Sequence, residues 1–148
     1  MSVATEVLYV DASDQILGRL ASHVAKLLLN GYKVIVFNAE KAVISGNKAR
    51  IVERFRERYA RRTLKNPEKL GHREPKTPHG IVRRAIRGML PHKKPRGREA
   101  FKRLLVYSGI PSLPANAKII KFEDASVSKL GRGYVYLGEI AKIFGWKG

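Results

Sequence analysis

The residues in this chain whose types and spacing most clearly point to chemistry lie between Ile81 and Arg103. The stretch reads IVRRAIRGMLPHKKPRGREAFKR. It carries Arg83, Arg84, Arg87, Lys93, Lys94, Arg96, Arg98, Lys102 and Arg103 against one acid, Glu99. An unpaired charge is costly to bury, so a run of this density must face water or a polyanion. The spacing predicts a helix from about Ile81 to Leu90. Val82, Ala85, Ile86 and Met89 form its apolar stripe, and Arg83, Arg84 and Arg87 lie on the other side. Gly88 weakens that helix slightly, and Pro91 ends it. His92 to Gly97 reads as an extended basic connector. A second short helix follows, with Ala100, Phe101, Leu104 and Leu105 on its apolar side and Arg98 and Lys102 sharing a face. The expected object is a pair of amphipathic helices pinned to a core, with a cationic elbow between them. A solvated basic helix would show the same pattern locally. The bias of the whole chain favours a binder of phosphate backbones.

That bias is large. The 148 residues include 30 Lys+Arg and 12 Asp+Glu, a formal charge of +18. A compact protein repels itself at that charge unless a polyanion neutralises it. Hydrophobic content of 44% argues against global disorder. The length suits one domain, residues 1–148, with its basic, polyanion-facing segment at about 79–104. An anionic membrane is a weaker candidate partner, because no apolar run approaches the roughly 20 residues that span a bilayer. No secretory signal is visible at the start of the chain, so a cytoplasmic location is the default. With no cysteine, disulfides, thiol catalysis and cysteine-ligated zinc drop out.

The remaining elements must position the basic stretch. Glu6 to Val10 and Lys33 to Phe37 read as buried strands, joined by a helix from Gln15 to Asn30 with Leu17, Leu20, Val24, Leu27 and Leu28 inward. Ser13 or Asp14 is the expected helix cap. This β-α-β order predicts parallel strands and a right-handed crossover. A third short strand is expected at Ala42 to Ile44. A helix from about Asn47 to Arg62 follows, with Ile51, Val52, Phe55 and Tyr59 inward. Lys48, Arg54, Arg58, Arg61 and Arg62 make it a second cationic surface. Thr63 to Gly80 reads as a long loop. Leu104 to Ser108 reads as a strand or as the end of the second basic helix, and Lys118 to Phe122 and Tyr134 to Leu137 as strands. Gly138 to Phe144 is a short terminal helix. The alternation favours an α/β fold around a small, mostly parallel sheet.

The β-α-β start invites a nucleotide-binding reading, but Asp11 to Leu17 has no glycine between strand and helix. Gly131-Arg-Gly133 is a lone GxG and reads as a turn. His23, His72, His79 and His92 fall on separate elements without paired-ligand spacing, so no metal site is expected. His92 sits inside the basic elbow, where it suits a phosphate contact or an ordinary surface position equally. Asp11 and Asp14 fit turn and capping roles better than acid-base catalysis. The aromatics Phe55, Tyr59, Phe101 and Tyr107 fall on apolar stripes and are expected in the core. No stacking platform appears, which points to phosphate and shape recognition. An enzyme is disfavoured, and neither a cofactor nor a small-molecule substrate is expected. A DNA-compacting protein remains the competing reading, because the electrostatic attraction ignores sequence.

Four blocks carry a resemblance to a known family. They are Leu17-Gly-Arg-Leu-Ala-Ser22, Val34-Ile-Val-Phe-Asn-Ala-Glu40, Ala85-Ile-Arg-Gly-Met-Leu-Pro91 and Val106-Tyr-Ser-Gly-Ile-Pro111. In this order the chain resembles the L-thirteen family of large-subunit ribosomal proteins. His92-Lys93 and the tail containing Gly145-Trp146-Lys147 are similar to its archaeal and eukaryotic form. The resemblance implies a three-layer α/β/α sandwich around a mostly parallel four-stranded sheet, with basic helical and loop extensions. It implies a structural, non-catalytic role: binding large-subunit rRNA beside neighbouring ribosomal proteins, and supporting subunit assembly and translation. The RNA contacts it implies are Arg83, Arg84, Arg87, His92, Lys93, Lys94, Arg96 and Arg98. Lys48, Arg54, Arg58, Arg61 and Arg62 are added on charge alone. Gly88 would let backbone approach RNA or a neighbouring helix.

Overall fold

A computed structural model describes residues 6–61 and 75–148. Four strands, β1 (Val7–Asp11), β2 (Lys33–Phe37), β4 (Leu104–Val106) and β5 (Ile119–Ile120), form one sheet in the order β4-β2-β1-β5. Every pairing in it is parallel. Parallel neighbours need long crossovers, and the helices supply them. Helix α1 (Leu17–Leu29) joins β1 to β2. Helices α2 (Lys48–Ala60), α3 (Pro78–Gly88) and α4 (Pro95–Lys102) lie between β2 and β4. The result is an α/β sandwich with the sheet flanked by helices. The third strand, β3 (Val43–Ser45), stands apart and pairs antiparallel with β6 (Tyr134–Tyr136), which leads into α5 (Leu137–Ile143).

The core follows from the two periodicities. Leu8 is buried on β1, and Val10, Val34, Val36 and Leu104 share a core cluster with Leu20, Val24 and Leu28 of α1. Helix α1 packs on both α3 and α4, and α3 also touches β4. The basic segment is thereby seated on the core through Ile81, Val82, Ile86 and Leu90, all buried. Ile86 is fully enclosed. Ile86→Ala is expected to cost about 2–5 kcal/mol and to lower the urea midpoint without changing the slope. A midpoint equal to wild type would mean that α3 is not anchored this way.

Several boundaries differ from the sequence expectation. Helix α1 begins after Ile16 with no side-chain cap. Ser13 and Asp14 instead build the turn after β1. The Asp11 carboxylate accepts from the Ser13 N–H (2.9 Å) and from the Asn38 amide (3.1 Å), tying the ends of β1 and β2. Burial pushes the Asp11 carboxyl upward, but these hydrogen bonds outweigh it and hold the group below its ordinary value. Asp14 takes φ 57 and accepts from the Tyr136 hydroxyl at 2.8 Å. That bond, with desolvation, pushes the Tyr136 phenol up to about 12. Tyr136 therefore clamps β6 to the β1 turn. Of the strand expected over Lys118 to Phe122, only Ile119–Ile120 pairs, at the edge of the sheet. Tyr107, expected in the core, is 41% exposed beyond the end of β4.

Candidate nucleic-acid interface

The basic stretch folds more tightly than its sequence suggested. Helix α3 starts at Pro78, inside the segment expected to be loop. Thr77 caps it by accepting from the Gly80 N–H at 3.3 Å, and Pro78 fills the first helical position, where a missing N–H costs nothing. Thr77-Pro78 is a start signal legible in the sequence, but the prolines around it masked it. Met89, placed on the inner stripe, is 45% exposed, and Leu90 takes the buried position. The early start adds Pro78 and Ile81 to the buried face.

His92 to Gly97 is not an extended connector. Residues Met89 to Lys94 form a compact turn, and Pro95 begins α4. The carbonyl of Leu90 accepts from the His92 N–H (2.7 Å), and that of Pro91 accepts from the Lys94 N–H (2.9 Å). Gly97 is buried inside α4 and faces this turn. A Cβ built there would lie 2.0 Å from the Pro91 oxygen and 2.8 Å from the His92 nitrogen. The close backbone approach therefore belongs to Gly97. At Gly88 an added Cβ would meet nothing of the described residues within 4 Å, so none of the described helices requires that glycine.

The turn gathers cations into a small space. Lys93, Lys94, Arg96 and Arg98 are exposed, and His92 is half-buried with Nδ1 3.3 Å from the Leu90 oxygen. The first turn of α4 contains no acid, so the positive end of its dipole adds to their field. That field favours an anion at the turn. Arg83 stacks its guanidinium over the Phe101 ring, 4.3 Å from the centroid, bracing α3 against α4. Arg87 is half-buried in the last turn of α3, where its charge also suits the helix end. Arg84 is exposed on the side toward α2. Arg103 departs from the expectation that every cation of the run faces outward. It is half-buried and donates from Nη2 to the Leu28 carbonyl at 2.5 Å, capping the end of α1.

The second cationic surface is divided. Lys48 pairs with Glu139 of α5 at 3.7 Å, with both side chains more than half exposed, a pair worth little in water. Arg54 and Arg58 are exposed one turn apart on α2, and Arg58 sits over the Phe55 ring at 5.3 Å. Arg61 is exposed just past the helix. Arg62 lies outside the described residues. Arg54, Arg58 and Arg84 line one cavity between α2 and α3, a grouping the sequence did not reveal.

A parallel α/β core that holds a cationic elbow outside itself defines a class, the α/β proteins with an exposed, strongly basic surface. Comparison with known proteins narrows it. The family model described as "Ribosomal protein L13" matches residues 5–112. The "Large ribosomal subunit protein uL13" of Sulfurisphaera tokodaii is 45% identical over 143 residues, 97% of this chain and 97% of that protein. The protein of the same description from Saccharolobus solfataricus is 44% identical over 146 residues, 99% and 97% of the two chains. That of Archaeoglobus fulgidus is 43% identical over 141 residues, 94% and 88%. The chain belongs to the ribosomal protein L13 family, and these relatives are archaeal.

Proposed function

We propose that this chain is a structural constituent of the large ribosomal subunit, acting as one domain that binds large-subunit rRNA and supports subunit assembly and translation. The observation that carries the reading is the α3–turn–α4 elbow. Its Lys93, Lys94, Arg96 and Arg98 are exposed, set on a buried apolar base and focused around one helix N-terminus. Membership of the family supports the same reading. Arg83, Arg84, Arg87, His92, Lys93, Lys94, Arg96 and Arg98 make the principal contacts to phosphate. Arg54, Arg58 and Arg61 extend the surface along α2 from Lys48, and Arg62 is added on charge alone. Neighbouring ribosomal proteins complete the environment, in the cytoplasm, and no catalytic step is assigned. Among the described residues, no helix is long and apolar enough to cross a membrane.

Sedimentation tests this. Native extract is fractionated on a sucrose gradient with and without ribonuclease, and the fractions are probed for the chain. It is expected with the large subunit and shifts to lighter fractions on ribonuclease treatment. Sedimentation with chromatin, released by deoxyribonuclease instead, would replace the reading with DNA compaction.

A further inference from the structure

The cavity between α1, β3, α2 and α3 has a volume of about 440 Å³, within the range of roughly 300–1,000 Å³ typical of small-molecule sites. Its wall is apolar, built from Ile16, Val43, Ile51, Phe55, Ile81 and Ala85. Three guanidinium groups also line it: Arg54 and Arg58 from α2 and Arg84 from α3. All three residues are exposed, and none forms an ion pair among the described residues. The nearby acid Glu53 is taken by Arg56 at 3.1 Å.

Gly18 supplies an independent observation. It lines the same cavity from the first turn of α1. Gly18 is exposed, and a Cβ there would meet no heavy atom of the described residues within 4 Å. Glycine is a poorer helix former than alanine, and neither packing nor backbone geometry within the protein calls for it. The space a side chain would fill is left open.

We propose that this cavity receives one unstacked nucleotide of the bound RNA. Its base lies against the aliphatic wall, and its phosphates lie on Arg54 and Arg84, beside Arg58, which sits over the buried Phe55 ring. The chemistry selects this occupant. An apolar slot alone would suit any hydrophobic group, and three unpaired cations alone would suit any anion. A nucleotide joins a flat π-faced body to anionic groups on one flexible chain, and splayed bases are the usual target of specific RNA recognition. The elbow tracks phosphates, whereas the cavity fixes where along the RNA the protein sits. The inference rests on the RNA-binding reading and adds to it a site for one base.

The test uses the full chain with large-subunit rRNA and maps every nucleotide by ribose acylation and base methylation. The wild-type protein is expected to make one nucleotide reactive at its ribose while protecting its base. Gly18→Leu fills the cavity without a clash at Cβ. It is expected to keep or raise the melting temperature, abolish the signature of that nucleotide and lower affinity about tenfold. The rest of the footprint remains. The exposed pair Arg54→Ala with Arg84→Ala is expected to weaken the same signature, and it decides the matter if Gly18→Leu misfolds. Wild-type binding without such a nucleotide, or a signature unchanged in the folded variants, would overturn the cavity proposal while leaving RNA binding intact. Failure of the wild-type protein to bind rRNA at all would overturn the functional reading, and this proposal with it.

Discussion

Replacing Gly97 with alanine is expected to lower stability by about 3 kcal/mol, the upper end of ordinary overpacking. For a chain of this length that corresponds to a melting temperature roughly 6–12 °C lower. The new methyl carbon would sit 2.0 Å from the Pro91 oxygen and 2.2 Å from its carbonyl carbon. These are backbone atoms, and the same oxygen already accepts from the Lys94 N–H, so the turn cannot yield by rotating a side chain. Either α4 moves off the turn or the turn opens, and both displace Lys93, Lys94 and Arg96 from their positions. RNA affinity is therefore expected to fall together with stability. Gly88→Ala is the matched control. It lies in the same segment with open space around it, and alanine there is expected to be neutral or to stabilise by up to about 1 kcal/mol. A thermal melt by circular dichroism on the two variants decides the point. Equal melting temperatures would mean that the turn does not pack on α4 as described.

The second large effect concerns binding alone. Arg87→Ala, Lys93→Ala and Arg96→Ala combined are expected to weaken rRNA binding by about a hundredfold, at roughly 1 kcal/mol lost per charged contact. The melting temperature should stay within a few degrees, because Lys93 and Arg96 are exposed and only Arg87 is half-buried. Salt dependence separates the electrostatic cause from any other. For the wild-type protein, log affinity should fall with log salt on a slope implying roughly 6–10 released counterions. In the triple variant that count should drop by about three, one for each phosphate contact removed. A filter-binding titration at several salt concentrations supplies both numbers. A wild-type slope near −2, or a triple variant with unchanged slope, would place the interface elsewhere on the molecule.

Both effects trace to a segment whose composition was plain in the sequence and whose shape was not. The amphipathic stripe of α3 was legible because helical periodicity put Val82 and Ile86 together, and both are buried. The elbow was misread because Pro95 and Gly97 are ordinary loop signals. Here the proline occupies the first position of a helix and the glycine makes a contact across the turn. The glycine's role appears only once the turn folds back onto α4. Arg103 shows the same limit. As one cation of a run it pointed outward, but at the junction of α4 and β4 it reaches the end of α1, where the Leu28 carbonyl, which also accepts from the Gly31 N–H, takes its proton donor. Likewise Asp14 looked like a cap and instead receives Tyr136, which is remote in the chain.

The sequence by itself determined the charge, the order of strands and helices, the parallel pairing of the first two strands and the family. The family rests on the resemblance of four sequence blocks, and the others on composition or on short-range periodicity, which local backbone geometry enforces. The tertiary structure alone decided which cations meet. Arg54 and Arg58 on α2 face Arg84 on α3 around one cavity, while Lys48 is drawn to Glu139. Such groupings arise when distant segments are packed side by side against a shared core, and no spacing along the chain encodes the distance between two helices that the core brings together.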